Sequence, residues 1–246
     1  MAANYTYKTH TYGGVKLHII ETKASNIKLV NTAQDGSANT LASSNNYGIN
    51  GAFFVMSENK EEHANMVLNI AYYNGVCMKT GGKNENDAIH NNVGKGIVGW
   101  DGTYARYHEN VEYADELDYI NGKNTWAQGG VALWLGTKYW KDKFIEQNAD
   151  RYIDETAYPA YRTAMICDLG TSNKVYLIIT TNTTTVEKFR AAIEDLFDIN
   201  DDSGLASEDF QGIMLDGGGS TQMSCAYFEH TSARPIPEIV ALKNKS

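Results

Sequence analysis

The chain has 246 residues, 42% hydrophobic and 21% charged, the balance of an ordinary globular protein rather than a disordered or fibrous one. A formal net charge of −9 argues against a nucleic-acid-binding surface, which needs clustered Lys and Arg. The three cysteines, Cys77, Cys167 and Cys225, give no zinc signature or disulfide framework, and no stretch reaches the roughly 18 apolar residues of a membrane span.

In chain order, Tyr5 to Tyr12 and Val15 to Glu21 alternate apolar and polar residues around Gly13-Gly14, which predicts a hairpin. Ile27 to Asn31 reads as a strand, Thr40 to Asn46 as a short polar helix, and Tyr47 to Phe54 as a strand interrupted by Gly48 and Gly51. Glycine inside a strand marks a bulge or a close approach by another group. Asn69 to Val76 reads as strand and turn, with Asn74-Gly75 as the turn pair. The polar stretch Gly81 to Asn92 reads as a mobile surface loop. Gly96 to Trp100 and Thr103 to Tyr107 flank Asp101-Gly102, a strong hairpin signal.

Ala127 to Leu135 is a predicted strand opening on Gly129-Gly130, and Lys138 to Asp154 a peripheral helix. Thr163 to Leu169 and Lys174 to Thr180 are apolar strands. Thr184 to Phe197 is the clearest helix: Val186, Phe189, Ile193 and Leu196-Phe197 fall on one face, and Thr185 can cap it. Asp198 to Glu208 is an acidic loop, and a strand then runs into Asp216. Ile236 to Leu242 is the last strand. The expected fold is α+β: a single domain, residues 1–246, of mixed or antiparallel sheets packed around one or two helices.

The segment Gly212-Ile213-Met214-Leu215-Asp216-Gly217-Gly218-Gly219-Ser220-Thr221 carries the most chemistry. An apolar strand ends in a carboxylate, then three glycines and two hydroxyls. Consecutive glycines cost backbone entropy, so they imply positive φ or a close approach. Such a turn can present N–H groups and hydroxyls to an anion. A tight turn capped by an Asp accounts for the same residues. Three further places stand out at strand ends: Asn50-Gly51-Ala52-Phe53-Phe54, Tyr161-Arg162-Thr163-Ala164 and Ala233-Arg234-Pro235. Singly, each also fits a plain turn or a solvated charge.

Together, and in this order, these segments resemble the phosphodiester glycosidase family. The likeness rests on Ile49 to Phe54, Arg162-Thr163-Ala164, Leu215 to Thr221 and the closing Arg234-Pro235-Ile236-Pro237. Ala52 stands where the family usually has a second glycine, and Thr180 to Thr183 where it has an Asp-Gly segment. The resemblance implies hydrolysis of a sugar-1-phosphodiester at the anomeric centre, releasing the sugar and a phosphomonoester. No cofactor is expected and no metal-ligating residues stand out; whether a metal assists stays open.

In that chemistry a planar guanidinium binds the diester oxygens through paired donors. Arg162 is the first choice for this role and Arg234 the second. Gly217, Gly218, Gly219, Ser220, Thr221 and Gly51 line the substrate. Asp216 is the carboxylate that stabilises or attacks an oxocarbenium-like centre, and Asn50 hydrogen-bonds the sugar or orients a water. Glycosidases usually use two carboxyl groups, and the sequence does not point to the second.

The implied partner is a small-molecule or glycan phosphodiester, with no nucleic acid and no membrane; the oligomeric state is not readable. Met1 to Lys8 has no signal-peptide pattern, so the expected location is the cytoplasm, or the virion or host cell of a phage. A binding protein that sequesters the same ligand without turnover, and a structural domain of a virion or cell wall, are the competing readings. His63, His90, His108 and His230 lack metal-ligand spacing and read as surface residues; Asp198, Asp201, Asp202, Glu208 and Asp209 lack an EF-hand pattern.

Overall fold

The computed structural model describes residues 4–33, 38–56, 65–78, 94–148, 158–200 and 206–245. The chain opens with β1 (Tyr5–Tyr12) and β2 (Val15–Lys23), paired antiparallel from Tyr5 opposite Thr22 to Tyr12 opposite Val15. Gly13 and Gly14 both take positive φ, 55° and 81°, as a tight two-residue hairpin turn requires. There follow β3 (Ile27–Asn31), β4 (Gly48–Asn50), β5 (Ala71–Tyr73), β6 (Val76–Cys77), β7 (Lys95–Trp100), β8 (Ala105–Val111) and β9 (Trp126–Ala132). After helix α1 (Trp140–Gln147) come β10 (Thr163–Asp168), β11 (Lys174–Thr180) and helix α2 (Val186–Leu196). The chain closes with β12 (Phe210–Leu215), β13 (Met223–Cys225), β14 (Phe228–His230) and β15 (Glu238–Leu242).

Among the described residues these strands make two antiparallel sheets. The ten-stranded sheet runs β1-β2-β11-β10-β12-β9-β5-β6, with β7 against β9 and β8 against β7. The five-stranded sheet runs β14-β13-β4-β15-β3. Successive side chains of a strand point to opposite faces, and the sequence uses both faces of the large sheet. Met165, Ile213 and Leu215 point toward the small sheet, where they join Leu29, Ile49 and Val240 in one core. Ala164, Ile166 and Met214 point the other way, onto Val186, Phe189 and Ile193 of α2 and Phe144 of α1. The result is three layers, small sheet, large sheet and helices. This is an α+β fold dominated by strands.

Helix α2 matches its sequence pattern: Thr185 caps it by accepting a hydrogen bond from the Lys188 N–H, and its apolar face is buried. Its polar side holds an element the pattern did not show. Arg190 and Glu194 are buried, pair at 2.7 Å and bind the turn after β9 through the Leu133 carbonyl and the Gly136 N–H.

Several expectations need correction. Thr40 to Asn46 is a run of turns, not a helix. Thr40 Oγ1 accepts from the Ser43 N–H and Ser44 Oγ donates to the Leu41 carbonyl, so side chains compete for the helical partners. The strand from Tyr47 is regular only over Gly48–Asn50; Phe54 then pairs with Val67 as an isolated bridge. Strand β9 stops at Ala132, and Trp134 takes a left-handed backbone with φ of 46°. The predicted helix from Lys138 is described only as Trp140–Gln147, and Phe144 on it is fully buried rather than peripheral. Strands β13 and β14 were not anticipated. The predicted loop Gly81 to Asn92, His63, His90, Asp201 and Asp202 lie outside the described residues. His108 and His230 are half-buried rather than at the surface.

Candidate functional site

The distinctive segments converge where β12 leaves the large sheet and β4 leaves the small one. Asp216 follows the last residue of β12, and both of its main-chain polar groups are held by the Asn50-Gly51 corner. Asn50 Nδ2 donates to the Asp216 carbonyl at 2.7 Å, and the Asp216 N–H donates to the Gly51 carbonyl at 3.3 Å. Asn50 is fully buried, and its Oδ1 accepts from Thr163 Oγ1 and from the Gln222 N–H, both at 3.1 Å. Its amide therefore ties β4, β10 and the glycine turn together, instead of facing a ligand.

Each glycine of the turn has its own reason. A Cβ on Gly217 would meet the Tyr161 carbonyl at 2.7 Å, Gly218 takes φ of 56°, and a Cβ on Gly219 would meet Arg234 Cζ at 2.8 Å. The Gly217 N–H donates to Asp216 Oδ1 at 2.9 Å, and the Gly218 N–H donates to the Tyr161 carbonyl at 2.9 Å. Arg234 lies exposed over Gly219 and donates to Ser220 Oγ at 3.3 Å, while Ser220 bonds the Asp216 carboxyl. Ser232 Oγ closes the arc by donating to the Gly219 carbonyl. Thr221 is buried, with its hydroxyl toward Thr163 at 3.2 Å, so it braces the turn from inside.

The two arginines have opposite surroundings. Arg162 is buried beneath the site, with Nε on the Thr184 carbonyl at 3.0 Å and a second nitrogen on the Tyr158 carbonyl. It fastens β10 to the segment entering α2. Arg234 is the cation whose charge acts on Asp216. The order of preference from sequence is thus reversed by the structure: Arg234 stands at the open rim and Arg162 is turned onto main-chain carbonyls.

Burial raises the Asp216 carboxyl to about 6, against the lowering effects of Ser220, Arg234 and the Gly217 N–H. The group is ionised at neutral pH but close enough to titration to exchange a proton.

Sequence reasoning passed over a second carboxyl group. Glu238 opens β15 and is buried, with Oε2 accepting the Ala52 N–H at 2.7 Å and Oε1 without a hydrogen-bond partner. Its carboxyl fills the space a side chain on Gly51 would need. Desolvation lifts it to about 8 despite the Ala52 hydrogen bond, so it is mostly protonated at pH 7. A lone Glu inside the apolar run Ile236 to Leu242 was the available signal.

Among the described residues no group of three His, Cys, Asp or Glu side chains could hold a metal ion, and no helix is long and apolar enough to cross a membrane.

No protein-family model and no curated protein matches the sequence. The fold does have solved relatives. The catalytic domain of zebrafish N-acetylglucosamine-1-phosphodiester alpha-N-acetylglucosaminidase, auto-inhibited by its pro-peptide, aligns over 98% of this chain and 82% of its own, with a TM-score of 0.62 and 15% identity. A hypothetical protein from Synechocystis aligns over 96% of this chain and 61% of its own, with a TM-score of 0.53 and 9% identity. At these identities the likeness is one of fold. A half-buried carboxylate beside an exposed guanidinium can bind an anionic ester and stabilise positive charge next to it.

Proposed function

We propose that the chain is a hydrolase of glycosyl phosphodiesters, cleaving at the anomeric carbon and releasing the sugar and a phosphomonoester. The observation that carries this reading is the Arg234-Ser220-Asp216 array on the glycine turn. Arg234, exposed at the rim, takes the diester's negative charge. Asp216, ionised above about pH 6, faces the anomeric carbon as it gains oxocarbenium character. A phosphate monoester is a far better leaving group than an alkoxide, so less general-acid help is needed. Asn50 and Gly51 act on Asp216 only through its main chain, as positioning residues. The fold is shared with an enzyme named for this reaction.

The test is hydrolysis of an N-acetylglucosamine-1-phosphodiester, followed by phosphorus NMR, with the parent and with Asp216→Asn. A phosphomonoester signal from the parent alone supports the reading; equal rates in both proteins remove it. One observation favours the second reading, a protein that holds the same ligand intact: the groups acting on the Asp216 carboxyl are Arg234, Ser220 and Gly217, all donors and none a second carboxyl. Recovery of unchanged diester after long incubation, with saturable binding, selects that reading.

A further inference from the structure

We infer that Tyr161 and His230 form an aromatic corner that receives the sugar ring. This rests on the reading of the site as one for a glycosyl phosphodiester, and it names the residues that would read the glycosyl half.

The first support is position. The Tyr161 carbonyl accepts the Gly218 N–H and lies against Gly217, so its ring projects from the residue that anchors the glycine turn. On the opposite bank, His230 ends β14 two residues before Ser232, which bonds the Gly219 carbonyl, and four before Arg234. The two rings bridge the banks with centroids 5.6 Å apart and planes inclined at 60°. Both residues are half-buried.

The second support is rigidity. Phe228 shares His230's face of β14, two residues earlier in the strand. Phe228 stacks on His18 at 4.0 Å and on Tyr7 at 5.4 Å. His18 is itself held by the Tyr7 hydroxyl at 2.7 Å and by Thr181 at 3.2 Å. The strand that carries His230 is therefore anchored by this aromatic stack through Phe228, which limits its movement before a ligand arrives.

The third support is chemistry. A corner of two inclined rings offers one face and one edge. A saturated sugar ring has a C–H face that packs on an aromatic surface and a rim of hydroxyls that needs hydrogen-bond partners. Burial holds the His230 imidazole below its usual value, so at neutral pH it carries one N–H donor and one acceptor, suited to a hydroxyl. The sugar of a glycosyl phosphodiester is bonded directly to the phosphate, so its subsite must adjoin the anion site. The Tyr161-His230 corner does.

The test uses free N-acetylglucosamine, uridine and inorganic phosphate as separate probes, with the His ring signals of the protein followed by NMR and His230 assigned through His230→Gln. N-acetylglucosamine is expected to move the His230 signals in the parent and in Tyr161→Phe. Tyr161→Ala should weaken it about 2- to 10-fold, the range for one lost aromatic contact. Phosphate affinity should be unchanged in Tyr161→Ala and reduced in Arg234→Gln. With a glycosyl diester substrate, Tyr161→Ala should raise KM more than it lowers kcat. The inference is overturned if N-acetylglucosamine leaves His230 unmoved, if uridine alone moves it, or if Tyr161→Ala weakens phosphate as much as sugar. Turnover of the diester with no sugar response at His230 would remove the corner and keep the hydrolase; a sugar response without turnover would keep the corner and remove the hydrolase.

Discussion

Asn50 holds Asp216 by its main chain: the amide nitrogen donates to the Asp216 carbonyl at 2.7 Å and leaves the carboxyl to Gly217, Ser220 and Arg234. The catalytic candidate is thus aimed by one set of groups and tuned by another. Replacing Asn50 with Ala should leave the Gln222 N–H without its acceptor and the Asp216 carbonyl without its donor, while the Thr163 hydroxyl keeps Thr221. Each unsatisfied buried group costs about 1–3 kcal/mol. A lower Tm by thermal scanning, together with lost activity, is the expected result, whereas a residue acting only on substrate would leave Tm in place.

The two arginines separate stability from binding. Arg234→Gln removes an exposed guanidinium, so thermal stability should stay close to the parent's while affinity for phosphate falls. Arg162→Gln removes a buried guanidinium with its hydrogen bonds to the Tyr158 and Thr184 carbonyls and should lower Tm before any effect on phosphate is seen. Phosphate titrations and thermal scans on the two variants check this; matching profiles would contradict it.

Gly219→Ala places a Cβ against the Arg234 guanidinium at 2.8 Å, and that long exposed side chain can swing away. The fold should survive and the anion site should not. Gly51→Ala drives a Cβ into the buried Glu238 carboxyl, which has no such freedom, and should cost stability of the order of 1–3 kcal/mol, as overpacked cores do. Denaturant melts of both variants beside phosphate affinity decide the point.

Glu238 makes stability depend on pH. Its folded value, about 8, lies above the ordinary 4.5, so the folded state holds a proton that the unfolded state releases. The stabilising contribution is complete below about pH 4.5 and is lost as pH rises through 8, at up to about 1.4 kcal/mol per pH unit. Asp216 acts in the same direction between its ordinary 3.8 and about 6. Glu238→Gln keeps an acceptor for the Ala52 N–H and has no proton to lose, so it should flatten the loss between pH 6 and 8 in urea melts. An unchanged slope would show that Glu238 is not the group responsible.

The elements legible in the sequence were those with two concordant signals. The hairpins at Gly13-Gly14 and Asp101-Gly102 combined alternation with turn residues, and α2 combined an apolar face with the Thr185 cap. Strands β13 and β14 have three residues each, too few to show a period. Thr40 to Asn46 misled because Thr and Ser satisfy the backbone locally in a turn as readily as at a helix start. At the site, Asp216 and the glycines were legible because their roles are local. Arg162 was placed ahead of Arg234 because the carbonyls that take up its guanidinium, those of Tyr158 and of Thr184 before α2, are brought to it only by the fold. Asn50 was found by its motif, but its inward-facing role depends on β10 and β13.

The most direct measurement is the pH dependence of diester cleavage by the parent beside Asp216→Asn, with released phosphomonoester read by phosphorus NMR. The account predicts parental activity that rises as pH passes about 6, when Asp216 ionises, and a loss of at least about 100-fold in Asp216→Asn at pH 7 with its melting behaviour intact. Cleavage by Asp216→Asn at the parental rate, or a parental profile flat between pH 5 and 7, would contradict it.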